Sequence, residues 1–365
     1  MLAQARDGIG DRGAMRILQV VTDDDRRGAQ VFATLLGAEL ARRGHHVETV
    51  GLASGRADRS LGVRVLGDRR LAAATIRRLR RLSRGFEVVV AHGSSTLPAS
   101  VAATFGLGVP VVYRQIADPV FWAARWDRRL RVAAYLRRVS RVVALSETTR
   151  RQVCELFWLD EQKVHVVPNG VPVPERLPAR DEARARLGLG PEDRVVAYVG
   201  ALVREKGVRL LVDAAAAVDC RLLVAGDGPE RDAVVEHGRR TCGGRFRFVG
   251  PVGDPYEVYA AADVVALPSL GGDTHPAVLI EAGMAGVPVV ATDQGAVSDI
   301  VVHGETGLLV RPGSVDDLRD ALRSLLADPE RAAAMGKAGR ARCEGWFSIE
   351  RVGGGWEHAL RTAVV

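Results

Sequence analysis

The fold of this chain is decided by the stretch DVVALPSLGGDTHPAVLIEAGMAGVPVVAT, residues 263–292. Residues 263–267 are typical of a buried strand that ends at Pro268, and a glycine-containing loop follows. Pro276 is predicted to be the first residue of a helix, because proline is favoured at that position. The stretch therefore predicts a strand, a loop that carries Asp273 and a helix that carries Glu281.

This junction places two acids and a helix start in one short segment. The free N–H groups at a helix start bind anions such as a diphosphate. Glu281 lies about one and a half turns further on, where its carboxylate can accept two hydrogen bonds from a ribose diol. Asp273 is placed to accept hydroxyls of a sugar. The pattern therefore favours a site for a sugar nucleotide.

Short valine-rich runs alternate with helical patterns along the chain, which is typical of parallel sheets with crossover helices. The strands of the first half are predicted near residues 16–22, 46–51, 87–91, 110–114, 141–145 and 164–167. Those of the second half are predicted near 194–199, 221–225, 245–249, 263–267, 288–291 and 307–310. A helix is predicted over residues 30–43, with Gly44 as its C-cap. The sequence therefore predicts an α/β protein.

The chain is long enough for two domains, at about 100 to 200 residues per domain. Residues 171–178, VPVPERLP, hold three prolines and have no periodicity, so the boundary is predicted there. The predicted domains are 15–170 and 194–346, joined by a linker region at 171–193. Residues 1–14 lack periodicity and are predicted to be a disordered leader.

Charge and cysteine usage indicate the compartment and the partners. The four cysteines have no paired short spacing and no signal sequence precedes them, so we expect reduced thiols in the cytoplasm. No apolar run approaches the roughly 20 residues that cross a bilayer.

The basic side chains are concentrated in the first half of the chain. Residues 1–170 hold 28 of the 51 basic side chains but 16 of the 44 acidic ones. Arginine-rich helical segments at 77–84 and 125–141 favour an anionic membrane surface or an anionic acceptor, and a solvated helix face is the alternative. No nucleic-acid motif accompanies the charge, so nucleic acid is not expected.

Five short segments of the sequence occur in the same order as the motifs of a known protein family. They are Gly28-Ala29-Gln30, the run 166–171 (VVPNGV), Val199-Gly200 with Glu205-Lys206-Gly207, the run 225–229 (AGDGP), and the acid pair Asp273 and Glu281. The order resembles the family-4 retaining glycosyltransferases, which normally carry Glu, seven residues and Glu. The resemblance covers nearly the whole chain from Met15. It implies the GT-B fold, in which two Rossmann-like doubly wound domains have parallel sheets facing a central cleft and the C-terminal helix, here 347–365, crosses back to the first domain.

The resemblance also implies an activity. It is the transfer of a sugar from a nucleoside-diphosphate sugar to an acceptor hydroxyl, with retained configuration and without a metal. A UDP-sugar is favoured and a GDP-sugar comes next, and no cofactor besides this co-substrate is implied. The first domain is expected to bind the acceptor and the second the donor. An anionic, a lipid-linked and a small hydroxylated acceptor all stay open, and the protein is expected in the cytoplasm or at the inner membrane face.

The cations of the donor site are predicted from one loop. Lys206 is one of three lysines in the chain, and a compact ammonium after a strand suits a diphosphate. A solvated loop lysine is the alternative. Arg204 is the expected second cation, because the family usually has Arg where this chain has Ala201. With Asp273 and Arg114, these two residues form the predicted catalytic set.

The remaining predicted contacts follow from the resemblance. The start of the helix at Ala277 and Val278, the loop at Gly28, the base-framing pair Gly250 and Val252, and His275 are expected at the donor. Gln30, His92 and Arg114 are expected at the acceptor. A structural role for His92, an ion pair of Arg114 with Asp118, and packing of His275 are the alternatives. A solvated loop is favoured for Asp23, Asp24 and Asp25, and contact of one of them with a hydroxyl or amine of the acceptor is the alternative.

Two rival functions remain open. A GT-B epimerase or phosphorylase shares the two sheets but uses no organic acceptor, and the acid pair and the Lys-Gly loop argue against it. A non-catalytic sugar-nucleotide-binding partner subunit is the second rival. It is motivated by Ala201, Asp273 and Ile116, which stand where relatives have catalytic-type residues.

Overall fold

A computed structural model of the protein describes residues 13–55, 60–122 and 125–364. The predicted leader lies outside the described residues except for Gly13 and Ala14. The described strands are β1 (Arg16–Asp23), β2 (His46–Ala53), β3 (Arg64–Val65), β4 (Val88–His92), β5 (Val111–Arg114), β6 (Arg141–Ala144), β7 (Val164–Val166), β8 (Val195–Val199), β9 (Arg221–Ala225), β10 (Phe246–Gly250), β11 (Val264–Leu267), β12 (Val289–Thr292) and β13 (Gly307–Val310).

The strands form two parallel sheets, as the alternation predicted. The first has the order β3-β2-β1-β4-β5-β6-β7 and the second the order β10-β9-β8-β11-β12-β13. Strands β4, β8, β11 and β12 are buried along their whole length. A strand covered by helices on both faces is a continuous apolar run, which explains the valine-rich composition. Both sheets are therefore doubly wound, and the predicted Rossmann-like fold class is confirmed.

The described helices are α1 (Gly28–Arg42), α2 (Ala73–Ser83), α3 (Leu97–Thr104), α4 (Pro119–Trp122), α5 (Trp126–Arg138), α6 (Glu147–Phe157), α7 (Arg180–Arg186), α8 (Val208–Ala216), α9 (Arg231–Cys242), α10 (Tyr256–Ala261), α11 (Ala277–Met284), α12 (Val297–Ile300), α13 (Val315–Ala327), α14 (Pro329–Phe347) and α15 (Ile349–Val364). Local chemistry sets several of their ends. Ser146 and Ser314 accept hydrogen bonds from the first turns of α6 and α13. Gly44, at φ +91°, makes the left-handed turn after α1.

The predicted strand limits agree with the structure to within two residues. The exception is β3, a two-residue edge strand that carries too few residues for an alternating pattern. Helix α1 begins at Gly28, two residues before the predicted start. The first turn of a helix carries no apolar requirement, so periodicity alone does not locate it.

Distances between Cα atoms divide the chain into two compact units. The first takes the residues up to Arg114, then Arg138–Arg141 and the chain from Leu360; the second takes Gln115–Arg137 and Val142–Ala359. The stretch predicted as a linker, 171–193, contains α7, in which Ala183 is buried in the core of the second unit. The predicted domain boundaries stay a prediction.

Candidate functional site

The loop between β11 and α11, residues 268–276, is the centre of the candidate site in the second unit. Its last residue, Pro276, was expected to be the first helical residue, but it precedes the helix with an extended ψ of 120°. Proline fixes φ and leaves ψ free, so it serves the N-cap position as well as the first turn. The half-buried Ala277 and Val278 therefore begin the helix, and their N–H groups belong to the first turn that lacks intrahelical acceptors.

The structure brings the predicted Lys206 and Asp273 together. The Lys206 ammonium forms an ion pair with Asp273 Oδ1, and the Ser269 hydroxyl donates a 2.5 Å hydrogen bond to Asp273 Oδ2. Both charged side chains are mostly buried, with 23% and 14% of their surfaces exposed. Sequence reasoning placed Lys206 at a diphosphate and Asp273 at a sugar, and it did not anticipate that the two would pair. It also missed Ser269.

Two backbone contacts hold the Lys206 loop against the Asp273 loop. Leu270 N–H donates to the Glu205 carbonyl at 2.7 Å. Gly207 has φ +62°, and a Cβ atom there would lie 2.2 Å from the Pro268 carbonyl oxygen. No side chain fits at that separation, so the glycine is required for close approach as well as for its backbone conformation. The loops after β8 and β11 are therefore packed directly against each other.

The Asp273 loop is also held by Thr292, the last residue of β12, and by residues that follow this strand. The Thr292 hydroxyl donates to the Ser269 carbonyl at 2.7 Å, and Ala296 N–H donates to the Thr274 carbonyl at 3.0 Å. A Cβ atom on Gly295 would lie 2.3 Å from the Asp273 carbonyl oxygen. Sequence reasoning missed these supports. The sheet order accounts for these supports, because β11 and β12 are neighbouring strands and their carboxyl ends therefore lie side by side.

Glu281 on α11 accepts a 2.8 Å hydrogen bond from the Tyr259 hydroxyl of α10. Burial raises the pKa of Glu281 above its ordinary value, and the Tyr259 hydrogen bond acts in the opposite direction. Tyr259 is itself fully buried, and the Tyr256 ring lies edge-on to it at 5.8 Å. Glu281 is therefore a half-buried carboxylate that is oriented by the Tyr259 hydroxyl. The tyrosine was not anticipated from the sequence.

His275 is part of the packing of the same loop. The side chain is buried, and its ring lies edge-on to the Phe347 ring at 5.2 Å. Asn169 Nδ2 donates to the His275 carbonyl at 2.5 Å, and the Thr274 hydroxyl donates to the Ile116 carbonyl. These contacts are consistent with the packing alternative for His275, and its role at the donor stays a prediction.

The other predicted donor residues lie on neighbouring loops of this unit. Arg204 is exposed at the start of the short 3₁₀ turn Arg204–Lys206. Gly250 is buried at the end of β10 with φ +83°, and Val252 is half-buried. A Cβ on Gly226 would lie 1.8 Å from the Gly200 carbonyl oxygen, so the first glycine of the run 226–229 is needed for close packing.

The predicted acceptor residues lie in the first unit, and several have partners there. The Arg114 guanidinium lies 3.8 Å from the centroid of the Phe32 ring, and burial lowers its pKa to about 9. His92 Nε2 is 2.8 Å from Gln19 Oε1, and burial together with the Arg114 charge holds the pKa of His92 well below its ordinary value. Gln30 Nε2 donates to Asp23 Oδ1 at 2.7 Å.

Gly28 and Asp24 are two further residues of the first unit whose roles were predicted from the sequence. Gly28 is exposed as the first residue of α1, with open space where a Cβ would lie. Asp24 accepts from Gly55 N–H and the Ser60 hydroxyl, both at 2.6 Å. These two bonds lower its pKa. The Asp24 carboxylate therefore joins two chain segments, a contact that the expectation of a solvated loop did not include.

Two classes of feature are absent from the described part of the chain. No group of three or more His, Cys, Asp or Glu side chains in residues 13–55, 60–122 and 125–364 is arranged to hold a metal ion. None of the described helices is long and apolar enough to cross a membrane.

Two family models match consecutive parts of the chain. The model described as Glycosyltransferase Family 4 matches residues 26–174, and the model described as Glycosyl transferases group 1 matches residues 179–342. Together they match most of the chain. The chain belongs to glycosyltransferase family 4. The resemblance stated from the acid pair and the other four segments is thereby confirmed.

This family-4 glycosyltransferase is similar to curated proteins over part of their length. It is 38% identical to the D-inositol 3-phosphate glycosyltransferase of Nocardia farcinica over 56% of this chain and 49% of that protein. It is 33% identical to the alpha-maltose-1-phosphate synthase of Mycolicibacterium smegmatis over 62% of this chain and 63% of that protein. The chain spans about half to two thirds of the length of the curated relatives it matches.

A solved structure shows the same fold. Anabaena HepE, solved in complex with UDP-glucose, superimposes with a TM-score of 0.85 over 95% of this chain and 99% of that chain, at 22% identity. The likeness confirms the GT-B fold that the resemblance implied.

Proposed function

We propose that this protein is a retaining, metal-independent glycosyltransferase that moves a hexose from a nucleoside-diphosphate sugar to an acceptor hydroxyl. The observation that carries the proposal is the Lys206–Asp273 ion pair, whose acid lies on the loop that leads to the start of α11. A cation, an acid and free helical N–H groups are the chemistry that a sugar diphosphate requires. These groups follow strands β8 and β11, which are neighbours in one parallel sheet, and ligands bind at such carboxyl ends.

Each group has a distinct role in the proposed reaction. Lys206, with Arg204 beside it, and the N–H groups of Ala277 and Val278 would stabilise the charge on the departing diphosphate. Glu281 would accept the ribose hydroxyls, because Tyr259 fixes its carboxylate. Asp273 would accept hydroxyls of the transferred sugar. Because Lys206 and Asp273 form an ion pair with each other, each would have to exchange that contact for a donor group when the donor binds.

The names of similar proteins support the donor and acceptor classes. HepE was solved with UDP-glucose, which favours a UDP-sugar here, and a GDP-sugar comes next. The similar proteins of Nocardia and Mycolicibacterium are named for inositol phosphate and maltose phosphate, so a hydroxylated sugar phosphate is the proposed acceptor. Gln30, His92 and Arg114 are the proposed acceptor residues, with Gly28 near the donor phosphates and Gly250 and Val252 at the base.

A location at the inner face of the membrane is proposed from α5. Trp126 and Leu130 on this helix are 74% and 51% exposed and lie among arginines. An exposed tryptophan in a basic helix suits an anionic bilayer surface. Flotation with vesicles of phosphatidylglycerol tests this point. The wild type should float at low salt and a Trp126→Ser, Leu130→Ser variant should not; equal flotation of both would remove the proposal.

The central test is calorimetric titration with UDP and GDP in EDTA, followed by transfer assays with the sugar of the nucleotide that binds. Lys206→Ala should weaken UDP binding at least about tenfold and leave uridine binding unchanged, since the ammonium contacts only the phosphates. Lys337→Ala, which removes an exposed lysine of α14, is the matched control. Retention of the anomeric configuration in the product, read by NMR, completes the test.

The outcomes separate the rival functions. Binding without transfer to any acceptor would favour a non-catalytic partner subunit, in which Ala201 replaces the usual arginine. Release or rearrangement of the sugar without acceptor would favour an epimerase or phosphorylase. Donor binding that depends on added metal would contradict the metal-independent site.

A further inference from the structure

The first unit contains a concave site that the proposed reaction does not use. It lies at the amino ends of neighbouring strands, where Arg16, His46 and Arg64 are the first residues of β1, β2 and β3. The pocket encloses about 300 Å³. Its lining is completed by Glu48 of β2, by Arg78, Arg81 and Leu82 of α2, and by Gly85 and Phe86. Substrates of such folds bind at the carboxyl ends of the strands, so this pocket is separate from the chemistry.

The charge of the pocket is strongly one-sided. Four guanidiniums line it, and Glu48 is the one carboxylate among the lining residues. Glu48 Oε1 lies 3.4 Å from Arg64 Nη1, so its charge is shared with one arginine. The nearby Glu87 carboxylate accepts the backbone N–H of Arg16 at 2.8 Å. Several like charges around one cavity repel one another, and an anion in the cavity relieves that repulsion.

The four arginines are exposed, but neighbouring groups restrict two of them, Arg78 and Arg16. Arg78 Nη1 donates to the Leu66 carbonyl at 2.7 Å. The Arg16 guanidinium lies 5.5 Å from the centroid of the Phe86 ring, and the His46 ring stacks on the same ring at 6.0 Å with an interplanar angle of 21°. Guanidiniums with limited freedom lose less entropy when they bind an anion, and their paired N–H groups match two phosphate oxygens.

We propose that this pocket binds the phosphate group of a phosphate monoester, as a site separate from the donor diphosphate. Arg64, Arg78 and Arg81 contact the phosphate oxygens. The Phe86 and His46 rings form the wall against which the esterified alcohol lies. The ligand is either a soluble phosphorylated metabolite or a lipid headgroup that ends in a phosphate monoester. This site does not depend on the proposed transferase function.

The experiment compares two arginine pairs on the same unit. Arg64→Gln with Arg81→Gln removes two exposed guanidiniums of the pocket, and Arg77→Gln with Arg84→Gln removes two exposed arginines on and beside α2 that do not line it. Glycerol 3-phosphate is titrated into each full-length protein at low salt. UDP is present at saturation, so that the proposed donor site is filled. Vesicles with and without phosphatidic acid form the second arm.

The expected result is one phosphate site per chain, about tenfold weaker or more in the pocket variant and within about twofold of the wild type in the control. Binding of glycerol 3-phosphate alone identifies a soluble ligand. Binding of phosphatidic acid vesicles alone, lost in the pocket variant, identifies a headgroup. Equal loss of binding in both variants would show that only the overall charge matters, and it would overturn the proposal. The absence of binding to both glycerol 3-phosphate and the vesicles would also overturn it. Thermal melting confirms that both variants are folded.

Discussion

The phenolic hydroxyl of Tyr259 donates a hydrogen bond of 2.8 Å to Oε2 of Glu281, across 22 positions of the chain. The two residues lie on different helices, α10 and α11; Tyr259 is fully buried and Glu281 is half-buried. A carboxylate in such a place is oriented by its hydrogen-bond donors more than by water. Tyr259 is therefore a positioning residue for Glu281, and the first prediction concerns it.

Tyr259→Phe should weaken UDP binding about tenfold, because it removes the donor that orients the Glu281 carboxylate. The free energy of unfolding should fall by about 1 to 3 kcal/mol, the usual range when a buried acceptor loses its partner. Calorimetry with UDP and denaturant unfolding measure the two effects. Tyr256→Phe is the matched control, since no hydrogen-bond partner of the Tyr256 hydroxyl occurs in the described residues. A control that behaves like Tyr259→Phe would show a packing effect only.

The pH dependence of stability should reveal the burial of Glu281. Its pKa is raised in the folded protein, so the folded state binds more protons than the unfolded state just above the ordinary carboxyl pKa. The stability from this group is fully present below that value and is lost as pH rises through the folded pKa. Relative to the wild type, Glu281→Gln should therefore gain stability between about pH 4 and pH 7. Melting temperatures of the wild type and of Glu281→Gln across this pH range measure the sign of the stability difference.

Asp24 provides a contrast of opposite sign for the same experiment. Hydrogen bonds from Ser60 and Gly55 lower its pKa, so its stability contribution is present above the ordinary pKa and is lost as pH falls. Asp24→Asn should thus be most destabilised relative to the wild type near pH 7, and the difference should shrink toward pH 3. Equal slopes for the two variants would contradict both assignments.

Asp273→Asn should separate binding from transfer. The substitution removes the counter-charge of Lys206, so UDP should bind as tightly as before or more tightly. Transfer from the UDP-sugar should fall at least about a hundredfold, because the proposed sugar contact is lost. Asp293→Asn, an exposed acid just after β12, is the control and should keep both properties. A transfer rate near the wild-type value would rule out the proposed role of Asp273.

Gly207→Ala should be unusually destabilising for a substitution in a loop. The added Cβ meets the Pro268 carbonyl at 2.2 Å, and the backbone there has φ +62°. We expect a loss of about 3 kcal/mol in the free energy of unfolding, together with weaker UDP binding because the Lys206 loop must shift. Gly304→Ala isolates the backbone effect, since φ is +80° and nothing lies within 4 Å of its Cβ; a loss of about 1 kcal/mol is expected.

Some residues of the candidate site could be predicted from the sequence, but their structural partners could not. The acids Asp273 and Glu281 and the lysine Lys206 were predicted as site residues, and the structure places all three on loops or helices that follow strands of one sheet. Their partners Ser269 and Tyr259 were not predicted. Serine and tyrosine are common in loops and helices, and nothing local in the sequence distinguishes a partner from a solvated or packed residue. Gly207 was recognised in its motif, but its contact with Pro268 was not.

The sequence by itself determined the two parallel sheets, most strand limits and the segment that carries the acid pair. These properties are encoded locally, because a strand buried on both faces must be apolar along its length and a turn requires particular residues. Only the tertiary structure decided that Lys206 pairs with Asp273 across 67 positions, that Arg114 packs on Phe32, and that arginines from two strands and α2 surround one pocket. Such contacts depend on strand order and loop approach, which side-chain periodicity does not specify.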